Sequence, residues 1–167
     1  MHFMDDFRQS VGSENPFIHH LIQTFDFARS RTLHVIDRLT VEQLDFNFDD
    51  KSNSIGTLLM HIGALEYRYQ KILFEDRMLD QEEKKFWEGA LAGQLYLRII
   101  YGNDLNFYIK LLEQVRAETV DRLSGKDDKW LFTLSKLSYT NYTCLFHLIE
   151  DEMNHVGQMK ITKLRFT

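Results

Sequence analysis

Proline is almost missing from this chain: Pro16 stands alone among 167 residues. Turn-dense β architecture uses proline freely, whereas inside a helix it costs about 3 kcal/mol, so a single proline favours long helices. Cysteine is equally scarce. Cys144 has no internal disulfide partner, and it lies in the apolar run from Tyr142 to Leu148, where a small thiol packs well. We expect it to be buried and inert in a reducing, cytoplasmic compartment. No stretch approaches the roughly 18 uninterrupted apolar residues of a membrane helix. Residues 1–10 carry two Asp and one Arg with no apolar segment or small-residue cleavage pattern, which reads against a secretory signal. A basic stripe is lacking too. The net charge is -5 and Lys and Arg are scattered, so the electrostatic footprint of a nucleic-acid binder is absent.

What is present is an ordinary globular composition, 44% hydrophobic and 27% charged, in a chain long enough to bury a continuous core. No repeat, low-complexity tract or linker divides it, so one domain over residues 1–167 is expected. Ser13, Glu14, Asn15 and Pro16 read as a helix start. From there to about Leu39, Phe17, Leu21, Phe25, Ala28, Leu33, Ile36 and Leu39 recur at three-to-four spacing. Thr40 and Gln43 match a capping box for a short turn of helix through Leu44, and residues 45–52 read as loop. A second long helix is expected from about Ser52–Ser54 to Phe74, with Ile55, Leu58, Leu59, Ile62, Leu65, Tyr69, Ile72 and Leu73 on one stripe.

The charged stretch from Glu75 to Gly93 contains a short helix, about Gln81 to Leu91, stopped by Gly93. The third long helix starts at Tyr96 or Asn103 and runs through Leu123, with Gly125 as its stop; Leu105, Tyr108, Ile109, Leu112, Val115 and Val120 are its core candidates. Residues 126–140 fit either extended chain or irregular helix. The last helix, about Thr140 to Arg165, turns Leu145, Leu148, Ile149, Val156 and Met159 inward. Four long helices with two decorated connections predict an all-α four-helix bundle with short extra helices in the connections. The aromatic content, 13% with 13 Phe, reads first as core filling, with a ligand pocket or dimer face as the alternative.

Metal sites in bundles are built from His and carboxylate side chains of facing helices, often paired four residues apart on one helix. Asp151 and His155 are such a pair. His61, in the middle of the second long helix, falls roughly 80° from the centre of its apolar stripe at about 100° per residue. His155 lies similarly off its own, so both occupy the boundary where a cleft between helices is lined. His147, four residues before Asp151, competes with His61 as third ligand, but each step of four drifts about 40° and carries it toward the outer face. No second catalytic residue is identifiable: Glu66 and Glu152 flank the candidate site in sequence, and the reading that they face solvent outweighs a catalytic role for either.

The order Leu39 to Leu44, a polar loop, Ser54, Ile55, Gly56, Thr57, Leu58, Leu59, Met60, His61, Ile62 and Glu66 resembles the first half of DinB-family proteins. The later run Asp151, Glu152, Met153, Asn154, His155, Val156, Gly157, Gln158 and Met159, with Leu164 and Arg165 after it, is similar to the family's second signature. There a His or carboxylate, three residues, a His and then x-Gly-Gln supply two ligands. The resemblance implies a DinB-like bundle and a divalent ion held by His61, Asp151 and His155. It departs from the pattern at Asp151, where many members have His; related thiol-dependent enzymes use a carboxylate there. Two His and one carboxylate with open positions suit Zn, Ni, Mn or Fe(II). The resemblance further implies a thiol-dependent transferase or hydrolase acting on a small molecule, with a low-molecular-weight thiol as partner. The alternative is a non-enzymatic stress or ligand-binding homodimer with a vestigial site.

Overall fold

The chain enters its first helix at the one proline. In the computed structural model, which describes residues 15–49, 51–91 and 100–166, α1 spans Pro16–Ile36 with Pro16 in its first turn. The expected side-chain cap from Asn15 is not formed, and Ser13 lies outside the described residues. The cap comes from a distant segment instead. Asp128 Oδ2 accepts from the Phe17 amide at 3.2 Å and Oδ1 from that of Ile18 at 3.0 Å, satisfying donors every helix start leaves open. The helix stops at Ile36 rather than Leu39, because Asp37 takes ψ 127° and Arg38 φ 60°, both outside helical geometry. Leu39 is still buried. Phe17, expected inside, is exposed.

Thr40 and Gln43 form the anticipated capping box at α2 (Val41–Leu44). Ser54 caps α3 (Ile55–Phe74) by accepting from the Thr57 amide, and all eight residues of its predicted stripe are buried. The short helix α4 (Gln81–Phe86) ends well before Leu91; Gly93 and Tyr96 lie outside the described residues. Asp104 caps α5 (Leu105–Ser124), which ends at Gly125. Residues 126–140 use both alternatives: a four-residue helix, α6 (Asp128–Leu131), and then an isolated antiparallel bridge between Leu134 and Thr140. Thr140 caps α7 (Asn141–Lys163).

The long helices α1, α3, α5 and α7 pack as a bundle, α3 lying against both α5 and α7, and α1 against both as well. Its apolar interior has two layers. One holds Val35, Leu58, Leu59, Leu112, Val156 and Met159, and the other Phe25, Tyr69, Ile72, Leu123, Leu145 and Leu148. Sequence order through these layers gives direction: α1 and α7 run from the second layer to the first, and α3 and α5 run the opposite way. The links from α1 to α3 and from α5 to α7 therefore stay at one end. The link from α3 to α5 must return along the whole bundle, and this is why it is long and carries α4.

Between the layers each long helix contributes one charged residue: Arg29, Glu66, Arg116 and Glu152. Arg29 Nε meets Glu152 at 2.8 Å and its Nη2 meets Glu66 at 3.2 Å, while Arg116 reaches Glu66 at 2.8 Å and Glu152 at 3.0 Å. The remaining guanidinium donors go to the carbonyls of Leu112 and Phe25, and Thr32 Oγ1 donates to Glu152 at 2.7 Å. Such a set is tolerated inside a bundle only because every charge has partners.

Candidate metal centre

Two helices and one connection build the site. The Ser54 cap fixes the start of α3, and Gly56 lets α5 close on it: a Cβ there would sit 2.5 Å from Tyr108 Oη. His61 then projects from α3 toward α7, where Asp151 and His155 share one face a turn apart. Among the described residues, one His or carboxylate ligand atom from each of these three lies within 4.8 Å of the others. His61 Nε2 is 3.6 Å from Asp151 Oδ2, His155 Nε2 is 3.3 Å from the same oxygen, and the two imidazoles meet edge to face at 5.0 Å.

The tautomer of His61 is fixed by chemistry. Its Nδ1 lies 2.6 Å from the Ala90 carbonyl, which can only accept, so Nδ1 carries the proton and Nε2 keeps its lone pair. The crossover between α3 and α5 supplies that carbonyl as it returns past α3. His155 Nδ1 faces Gln158 Oε1 at 3.3 Å, and its Nε2 is buried without a hydrogen-bond partner among the described residues. Asp151 Oδ2 lies 3.3 Å from it, a charge contact. Burial works against protonation of His155, but the Asp151 carboxylate, with Gln158 and Glu152, outweighs it and raises the pKa. Burial likewise pushes the Asp151 carboxyl up, and His155, followed by His61 and His147, reverses the effect and leaves it below its ordinary value.

These residues fit a divalent ion. Metal–ligand bonds of about 2.0–2.2 Å at a tetrahedral centre separate neighbouring donors by roughly 3.4 Å, close to the 3.3 and 3.6 Å found. An orphaned, buried imidazole nitrogen is the atom such an ion would use, and the Nδ1 contacts are the outer supports that orient metal-binding imidazoles. Beside the triad a cleft of about 120 Å³ is lined by Asn53, Thr57, Leu58, Gly89 and Ala90 together with both histidines.

His147 stands apart: it is exposed, 3.2 Å from Glu150 Oε2, and outside the cluster. Glu66 and Glu152 require correction. Both are 1% exposed and held by Arg29 and Arg116, so neither faces solvent. What sequence reasoning missed was visible as one charged residue on each apolar stripe: Arg29 after Phe25 and Ala28, Glu66 between Ile62 and Tyr69, Arg116 after Leu112, and Glu152 between Leu148 and Val156. The Ala90 carbonyl left no signal at all, since a main-chain acceptor has no residue signature.

The sequence pattern of the DinB superfamily matches residues 24–159. The chain belongs to the DinB superfamily. No curated protein matches it. Among solved structures, a conserved protein from Enterococcus faecalis superposes with a TM-score of 0.68 at 17% identity, covering 86% of this chain and 93% of that one. At that identity the likeness carries the fold, and the DinB-like bundle is common to both. Among the described residues no helix is long and apolar enough to cross a membrane.

Proposed function

We propose that this DinB-superfamily protein is a divalent-metal-dependent enzyme in which His61, Asp151 and His155 hold one ion, and that it catalyses thiol-dependent transfer to, or hydrolysis of, a small molecule. The observation that carries the reading is the convergence of three donor atoms with the buried His155 Nε2 left unpartnered. Such an ion, whether Zn, Ni, Mn or Fe(II), would supply a Lewis acid that activates a bound thiol or water. The protein's own groups would do the rest. Ala90 and Gln158 aim the imidazoles, Asp151 adds the negative charge, and the cleft beside Thr57 and Gly89 admits the reacting group. The thiol partner comes from the family resemblance, and a cytoplasmic setting accords with the lone, buried Cys144.

The test is elemental analysis of protein prepared without chelator or polyhistidine tag, comparing His61→Ala with His147→Ala. His61→Ala is expected to lose the ion and His147→Ala to keep it. The reverse result would sink the ligand set. Occupancy should also fall as pH drops, because an imidazole must be unprotonated to bind, and the loss should begin above the ordinary imidazole value because Asp151 raises the pKa of His155.

A second reading is a homodimeric binding protein with a vestigial metal site, and one observation bears on its homodimer. Phe17, Phe132, Tyr142 and Phe146 form an exposed aromatic row with successive ring centroids 5.9, 6.3 and 6.3 Å apart. Dimerisation through this row is compatible with either function.

A further inference from the structure

A cavity of about 490 Å³ opens between α3, α4 and α5, away from the metal triad. Each helix presents residues three or four apart to it: Tyr67, Gln70 and Lys71 from α3, Glu82 and Phe86 from α4, and Gln114 and Glu118 from α5. Its aromatic wall is a corner of three rings. Phe86 stands at 90° to Trp87 with centroids 4.9 Å apart, and Tyr67 lies 5.5 Å from Trp87 at 41°. Trp87 is buried and Phe86 is 62% exposed, so one ring forms the floor and another overhangs the mouth.

The polar groups discriminate. Gln70 is 4% exposed, and its amide nitrogen donates to the Val115 carbonyl at 2.7 Å and to Thr119 Oγ1 at 2.9 Å. Because a carbonyl can only accept, that nitrogen cannot be exchanged with the amide oxygen, and Oε1 is the acceptor left for a guest. Glu83 is committed to Arg77 at 2.7 Å and to the Tyr67 hydroxyl at 2.8 Å, and the Lys71 ammonium to Glu75 at 2.8 Å. Lys71 also lies 4.7 Å from the Tyr67 ring centroid, so a cation already rests on one of these rings. Glu118, on the α5 wall, already accepts from Arg122 Nε at 2.5 Å, so exposed Glu82 on the α4 wall is the lining carboxylate with no such cation beside it among the described residues. The Gln70 acceptor, the Glu82 carboxylate and the ring faces favour a guest that brings N–H donors and positive charge on an apolar body.

We propose that this cavity binds a small organic amine, its apolar body against Phe86 and Trp87 and its ammonium between Gln70 Oε1 and the Glu82 carboxylate. None of the triad residues His61, Asp151 and His155 lines it. The volume suits a compact ligand, since small-molecule pockets span about 300–1,000 Å³.

The two tryptophans make the test direct. In a Trp130→Phe background, emission reports Trp87 alone, and phenethylamine, 2-phenylethanol and 3-phenylpropionate are titrated in turn. The amine is expected to change Trp87 emission saturably, with the alcohol and the acid at least about tenfold weaker. Phe86→Ala and Glu82→Gln alter surface positions of α4 that leave the fold intact, and each should weaken the amine about five- to tenfold. His61→Ala should leave its affinity unchanged, which separates this site from failure of the metal reading. Absence of a saturable response, equal binding of alcohol or acid, or indifference to both α4 substitutions would overturn the proposal.

Discussion

At the scale of single residues, the interior is decided by four charged side chains that stand on the apolar stripes but that their charge alone would have kept at the surface. Each arginine bridges both carboxylates, so removing one group leaves the others uncompensated, and breaking a buried pair in this way costs about 3–5 kcal/mol. Glu66→Gln is therefore expected to lower stability by about that amount in urea unfolding at pH 7. The pH dependence follows from the same contacts. Burial pushes the Glu66 carboxyl up, but Arg116, followed by Arg29, outweighs it and holds the pKa below its ordinary value. A depressed folded-state pKa contributes stability that is complete above the unfolded value of about 4.3 and is lost as pH falls through the folded one. Melting temperature should thus fall between pH 5 and 3 in the native chain and fall less in Glu66→Gln; equal acid sensitivity would contradict the assignment. Cys144, 3% exposed, gives a second check. A thiol reagent should label it far more slowly in native than in urea-unfolded protein, and equal rates would show that it is not buried in solution.

At the scale of elements, the long helices were legible because their signals are local: three-to-four spacing, Thr40 and Gln43 as a capping box, Ser54 before Ile55, Gly125 at a stop. Of the candidate site, helical angle separated His147 on the outer face from the boundary histidines His61 and His155, while the ligand set with Asp151 came from the family resemblance. What escaped was set by contacts between segments distant in sequence. Nothing near Pro16 shows that Asp128 will cap α1, and nothing in residues 126–140 shows that their short helix exists partly to place that carboxylate. Asp128→Ala removes the acceptor for two α1 amides and should cost about 0.5–2 kcal/mol, the range for helix caps. Hydrogen exchange should quicken in the first turn of α1, whereas Asp127→Ala, which loses only the cap of α6 on the Trp130 amide, should leave α1 protected. Unchanged exchange at Phe17 and Ile18 in Asp128→Ala would show that the contact does not hold the helix start.

At the scale of the whole molecule, the two-layer core and the central charges consume the inward faces, which leaves the exposed aromatics as the feature that a solitary bundle does not explain. Phe17, Phe132, Tyr142 and Phe146 stack in sequence along the start of α1, the turn after α6 and the outer face of α7, and Leu134 and Tyr139 flank them on the adjoining turn, with exposures of 39–72% across the six. At roughly 200 Å² per large aromatic side chain, they present about 600 Å² of apolar surface, most of the ≈800 Å² that each partner contributes to a standard interface. A second copy suits this surface, because a two-fold axis sets the row against itself and buries aromatic against aromatic without requiring a complementary charge. The expected outcome is a monomer–dimer equilibrium in sedimentation velocity across micromolar concentrations, with Phe146→Ser and Tyr142→Ser together shifting it to monomer. Because both side chains point outward, the double variant should keep its helical circular dichroism and its metal content. That separates loss of the interface from loss of the fold. A native chain that stays monomeric at every concentration would leave the aromatic row without a second copy as its partner, and the homodimer would fall while the metal centre stood.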